Sequence, residues 1–385
     1  MFAYLCIDIK NSYFCDMGAL YFHIPFCKRL CGYCDFVHSV KSRFMPQTVV
    51  AMHEELDRES GFLRDRKIRT IYFGGGTPSL LHPSEIERFI SHSSELFDCS
   101  EVEEITVEVN PDDITEQYAE ALKNTSVNRV SMGVQSFDDN CLQFMGRRHS
   151  ANDALRAIER LRGVGIENIS IDIIFGVSGF GGQSLERTLQ QAVETGVEHI
   201  SAYHLTIEPQ TRFGRMLQRG EIEQVSESVS EREFDAVHQV FTAAGYEHYE
   251  VSNFAKEGYR SRHNSSYWTG AEYLGVGPGA HSYNGTVRRW CEQDVEQYVE
   301  RVEYGSETLT ALDALNEYVM VSLRRVEGID LQYIAQRWGD RWAERIASRA
   351  ERFVACGWLC RSESRLAVPV DKFLISDSVI AELFE

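Results

Sequence analysis

The chain has 385 residues, a formal net charge of −19 and 43% hydrophobic residues, enough for one large domain plus a smaller one with a sizeable core. The acidic balance disfavours nucleic acid, whose phosphates call for a basic footprint, and anionic membrane surfaces. No apolar run approaches the ~18 residues of a membrane helix, and the start MFAYLCIDIK lacks the basic n-region and cleavage site of a signal peptide, so a cytoplasmic protein with reduced thiols is expected.

Residues 1–16 are expected to be a leader or a mis-assigned start ahead of Met17. From there the pattern alternates strand and helix. Strands are expected at 19–24, 69–73, 104–109, 129–134, 169–175 and 199–206, and helices at 46–61, 83–97, 114–123, 152–163, 184–195 and 231–244. Pro83 suits a first helical turn. Six such units imply parallel strands with helical crossovers, and a partial (β/α)6 barrel fits the count. Chemistry in such barrels gathers at the carboxyl ends of the strands. A cysteine loop follows the first strand, a glycine run the second and Gln135 the fourth, while Glu108 ends the third and Asp172 lies in the fifth.

Residues 17–245 are assigned to the barrel and 246–308 to an extension of loops, short strands and a polar connector with some helix. Residues 309–385 are assigned to a smaller C-terminal domain, helical and winged-helix-like. Its helices are expected at 312–323, 330–338, 341–356 and 377–384, with a hairpin before the last. Cys356 and Cys360, spaced C-x3-C, read as small buried residues near a helix end.

Cys27, Cys31 and Cys34 are spaced C-x3-C-x2-C within YFHIPFCKRLCGYCDF. Thiolates are soft ligands suited to iron–sulfur clusters and zinc. Ordinary sites of either kind take four protein ligands, and the local count is three. A cube held by three thiolates leaves one iron free. The alternative is a zinc knuckle completed by His23 or His38. The run Gly74-Gly75-Gly76-Thr77 lets backbone approach a ligand, or is an ordinary tight turn. Asp172 within ISIDIIF is costly unless paired, by a ligand or by a network with Arg147 or a backbone amide. The string His263-Asn264-Ser265-Ser266-Tyr267-Trp268 reads by itself as a surface loop with two aromatics.

The cysteine string resembles that of radical S-adenosylmethionine (SAM) proteins, and HIPFC…CGYCDF resembles the oxygen-independent coproporphyrinogen III oxidase family with its heme-chaperone branch. The resemblance covers nearly the whole chain from about Met17. It implies a [4Fe-4S] cluster on Cys27, Cys31 and Cys34, with its open iron chelated by SAM. It implies SAM contacts from Tyr21, Gly75, Gly76, Thr77, Glu108, Gln135, Arg147 and Asp172. It implies heme as a further ligand, with His263 as candidate and His204, His248 and His281 as alternatives. Arg260 or Arg262 would answer the heme propionates. An unidentified heme acceptor and an electron donor such as flavodoxin or ferredoxin are the implied partners.

The sequence departs from the catalytic pattern at Phe36, where the oxidase carries a fourth cysteine. The leader that would help hold a second SAM is not recognisable in residues 1–16. The usual Leu-Pro after the fifth strand is Val177-Ser178, followed by an extra Gly179–Gly182. The expected function is therefore heme binding and transfer. The alternatives are conversion of coproporphyrinogen III to protoporphyrinogen IX and radical-SAM chemistry on another substrate.

Overall fold

The computed structural model describes residues 18–385; Cys6, Cys15 and the expected start at Met17 lie outside the described residues. Twelve strands form one sheet: β1 (Gly18–Ile24), β2 (Ile68–Gly75), β3 (Glu104–Val109), β4 (Arg129–Gln135), β5 (Asn168–Phe175), β6 (His199–His204), β7 (Glu247–Glu250), β8 (Asn253–Ala255), β9 (Tyr273–Val276), β10 (His281–Tyr283), β11 (Val287–Trp290) and β12 (Gly305–Thr308). Strands β1 to β6 pair in sequence order and all in parallel. This is the expected partial (β/α)6 barrel.

The crossover helices are α1 (Met45–Glu59), α2 (Pro83–Leu96), α3 (Glu116–Lys123), α4 (Asp139–Met145), α5 (Ala151–Gly163), α6 (Gln183–Thr195), α7 (Arg212–Gln218) and α8 (Glu227–Ala243). Their starts follow their caps. Thr115 accepts from Tyr118 N, so α3 begins after it, and Ser150 forms a capping box with Asp153 at the head of α5. Strand residues such as Leu20, Ile71, Val107, Val130, Ile171 and Ile200 are fully buried. Sheet and helices thus share one core on the outer face of the strands, as near-continuous apolar parallel strands require.

The extension does not stand apart from this sheet. Strand β9 pairs in parallel with β1, while β8 and β7 continue antiparallel beyond β6. Helix α9 (Arg262–Trp268) lies between them in sequence, and α10 (Val295–Glu300) joins β11 to β12. The C-terminal region holds α11 (Ala311–Leu323), α12 (Leu331–Trp338), α13 (Asp340–Ala355) and α14 (Ser376–Leu383). Its small sheet comprises β13 (Ile329–Asp330), β14 (Cys360–Ser362) and β15 (Arg365–Ala367), with β14 and β15 as the hairpin. Cys356 and Cys360 are exposed, not buried, because the chain leaves α13 toward solvent at Gly357.

Candidate functional site

The loop after β1 is clamped from below and from both sides. Cys27 N donates to Ser39 O at 2.9 Å, Gly32 N to Met145 O at 2.9 Å, and Phe213 N to Gly32 O at 2.8 Å. A Cβ on Gly32 would stand 2.4 Å from the Phe213 ring, so only glycine permits this approach. Cys27, Cys31 and Cys34 are partly exposed on the loop. Thr77 Oγ1 donates to Cys27 Sγ at 3.5 Å, and Arg147 Nη1 to Cys31 Sγ at 3.5 Å. Burial pushes the Cys27 thiol up to about 11 and raises Cys34 as well, so neither is a thiolate until a cation takes its proton's place.

The histidines of a zinc knuckle are engaged elsewhere. His23 is 3% exposed, with Nε2 on Val37 O at 2.9 Å and Nδ1 on the Tyr21 hydroxyl at 3.1 Å. His38 Nδ1 is bonded to Phe36 O. Among the described residues no group of three or more His, Cys, Asp or Glu side chains is arranged to hold a single metal ion. Three soft thiols with no fourth ligand fit a cluster, in which each thiolate meets its own iron, better than one tetrahedral zinc. Phe36 is 68% exposed and offers this loop no ligand.

Beside the cysteines, the carboxyl ends of β2 to β5 converge. Gly75 has φ +106°, and a Cβ there would meet the His23 ring at 2.7 Å; a Cβ on Gly76 would meet Phe26 O at 2.8 Å. The run is a turn that only glycine can make this close to the cysteine loop. Glu108 accepts from the Tyr72 hydroxyl at 2.8 Å and from Gly75 N at 3.2 Å. Burial raises its carboxyl to about 7, with the charge of Asp172 adding to the shift. Asp172 is raised to about 6, also by burial, although Ser201 and Ser131 donate toward it. Gln135 sits at φ +67°, an uncommon conformation for a side chain of its kind, where the β4 register shifts. Arg147 donates to Gly133 O at 2.6 Å and to Asn110 Oδ1 at 2.5 Å, and its buried Nε has no hydrogen-bond partner among the described residues.

Two underpaired acids, an arginine and a glycine cradle against three thiols suit a ligand with a cationic centre, hydroxyls and a carboxylate. SAM is such a ligand, and the residues present fit it. Tyr21 closes the same space, its ring stacked on Tyr72 at 6.0 Å. Asn110 was not singled out from the sequence. It bridges Arg147 to Thr77, donating to Thr77 Oγ1 at 3.1 Å, and its position just past β3 in EVNP was the available signal.

The HNSSYW string is a helix rather than a surface loop. His263 is 1% exposed, with Nδ1 on Thr70 Oγ1 at 2.8 Å and Nε2 on the Tyr267 hydroxyl at 2.9 Å. Its ring stacks on Tyr72 at 4.7 Å. Burial holds it neutral, down to about 3, and nearby Arg129 adds to the shift. Thr70 and Glu104 lie early in β2 and β3, so α9 forms the barrel floor, at the opposite strand ends from the cysteines. Glu104 accepts from the backbone N–H of Arg262 at 2.9 Å and of His263 at 3.0 Å. A carboxylate at a helix N-terminus is favourable. Arg260 is paired with Glu247 and Glu327, and Arg262 with Glu103, so both expected propionate partners are already neutralised. His204 bonds Ser230 and His248 bonds His238, while His281 is exposed beside Trp290.

The Radical SAM superfamily profile matches residues 21–192, and the HemN C-terminal domain profile matches residues 309–369. A protein of Bacillus subtilis named heme chaperone HemW is 33% identical over 84% of this chain and 87% of its own length. The HemW of Mycobacterium tuberculosis is 32% identical over 94% of each chain, and that of Escherichia coli 37% identical over 68% of this chain and 69% of its own. The solved structure of coproporphyrinogen III oxidase (HemN) from Escherichia coli, a radical SAM enzyme, superposes with a TM-score of 0.82 at 21% identity, covering 97% of this chain and 91% of that one. This likeness establishes a shared fold.

Proposed function

The chain belongs to the heme chaperone HemW family of radical SAM proteins, and from that premise we propose that it binds heme and passes it to an acceptor protein. The observation that carries this reading is the similarity to HemW proteins over 84% and 94% of the chain. Phe36 supports it, since the place of the oxidase's extra thiol holds an exposed ring. Residues 17–245, 246–308 and 309–385 remain the working division into barrel, extension and C-terminal domain. A cytoplasmic location and a flavodoxin- or ferredoxin-like electron donor belong to the same proposal; no helix of the described residues is long and apolar enough to cross a membrane.

Cys27, Cys31 and Cys34 would hold a [4Fe-4S] cluster, and SAM would lie beside it against Gly75, Gly76 and Thr77. Such a pair supplies one-electron chemistry at the sulfonium when bound. The chain's own residues position the ligand. Glu108 and Asp172 answer its amine and ribose hydroxyls, Arg147 its carboxylate, and Gln135 and Tyr21 the remaining polar edge and ring. His263 could offer iron its Nε2 only by releasing the Tyr267 hydroxyl. The test is anaerobic purification followed by heme titration. About one heme per chain is expected, and no saturable binding contradicts the reading.

A further inference from the structure

A cleft of about 880 Å³ opens between the barrel extension and the C-terminal domain. Tyr267 and Trp268 of α9 line one side, Tyr318 of α11 and Tyr333 of α12 the other, these last two with ring centroids 5.0 Å apart. Aromatic walls of this kind suit a flat, largely apolar ligand. Among the described residues, three buried polar atoms on the lining have no hydrogen-bond partner: Trp268 Nε1, Arg325 Nε and Asn253 Oδ1. Buried donors without partners are costly, and a ligand carboxylate would satisfy the two N–H groups.

The arginines of the cleft are not alike. Arg324 is paired with Asp377, Arg288 with Glu317 and Arg64 with Glu272. The Arg325 side chain has no ion pair and no hydrogen bond among the described residues. Burial pulls its guanidinium below the ordinary arginine range despite the charge of Glu327. No histidine and no cysteine lines the cleft. The metal-ligating side chains on the lining are phenols, the Met320 thioether and carboxylates, of which Glu317, Glu327, Asp330 and Asp377 are already paired with arginines. Tyr203 of β6, exposed on the sheet, also lines the cleft.

We infer that this cleft is the seat of a tetrapyrrole dicarboxylate, gripped by its faces between Trp268 and the Tyr318–Tyr333 wall and by one carboxylate on Arg325. Recognition is through ring and carboxylate, with no need for an iron ligand. The inference rests on the heme-chaperone reading and places its cargo away from His263.

The test uses the full chain, anaerobically reconstituted, titrated with hemin, hemin dimethyl ester and iron-free protoporphyrin IX. The wild type is expected to bind hemin at least about tenfold more tightly than the ester, the scale of one charge-assisted hydrogen bond. Iron-free protoporphyrin IX is expected to bind within a few-fold of hemin. Arg325→Gln should bind hemin and ester equally weakly, Arg325→Lys should recover part of the difference, and Trp268→Ala should weaken both porphyrins. Each variant must keep wild-type iron and sulfide content, which guards against misfolding. If Arg325→Gln keeps the preference for the free acid, or if protoporphyrin IX fails to bind where hemin binds, the assignment is overturned while the chaperone reading survives. A wild type that binds none of the three overturns the chaperone reading itself.

Discussion

Glu108 takes its hydrogen bonds from Tyr72 and Gly75 and forms no ion pair among the described residues. Its carboxyl, raised to about 7, keeps its proton in the fold at pH values where the unfolded chain, near 4.5, has released it. The stability this contributes is full below about 4.5 and is lost as pH rises through about 7. Glu108→Gln removes that dependence. From pH 5 to pH 8 the variant should therefore gain in melting temperature relative to the wild type, both measured without ligand. SAM, which is cationic, should show the opposite trend. Its affinity for the wild type is expected to fall by up to about tenfold per pH unit below about 7. In Glu108→Gln the affinity should be low and flat from pH 8 down to about 6, below which Asp172, itself raised to about 6, supplies the remaining slope, read from the cluster's paramagnetic spectrum. A steep slope between pH 7 and about 6 that survives the substitution would return Glu108 to a purely structural role. The three cysteines give a simpler outcome: any one changed to alanine should lose most of the roughly four irons per chain. Cys141 and Cys291 are buried within the packed core and Cys99 lies against it; changing any of them should leave the iron content unchanged.

At the scale of elements, α9 shows why part of the site was legible and part was not. The six barrel strands are apolar runs, and their residues fall at the expected strand ends. The cysteine loop, glycine turn, Glu108 and Asp172 follow from that order alone. Helix α9 is seven residues long and mostly polar, and its His263 and Ser266 side chains bond buried partners. Periodicity has nothing to register over two turns, so HNSSYW looks like a surface loop. The partners that bury it, Thr70 and Glu104, lie more than 150 residues away in sequence. Strands β11 and β12 escaped for a similar reason: four residues each and mostly polar, β11 half-buried and β12 largely exposed, they add to the sheet through backbone bonds. The floor has its own consequence. Glu104 is 3% exposed, caps α9 and faces buried Arg129, whose Nε lies 4.0 Å away. Glu104→Ala leaves two helix N–H groups and a buried guanidinium unanswered. Chemical denaturation should show a loss of about 3–5 kcal/mol. A loss below 1 kcal/mol would mean that α9 is not held by this carboxylate.

The whole molecule places two kinds of site at two depths of one barrel. The upper rim gathers thiols, glycines and underpaired carboxylates. The side of the barrel, where β7, β8 and β9 leave a gap toward α11 and α12, holds an aromatic cleft with one unanswered arginine. The chain shares its fold with a coproporphyrinogen III oxidase, so fold alone does not separate carrier from catalyst. The separation lies in Phe36 and in what the protein does with a porphyrinogen. The most direct measurement takes one anaerobic sample with full iron content, shows saturable heme binding, and then supplies coproporphyrinogen III, SAM and a low-potential reductant. About one heme per chain and no protoporphyrinogen above the protein-free control is the expected result. Multiple-turnover formation of protoporphyrinogen would contradict the chaperone assignment.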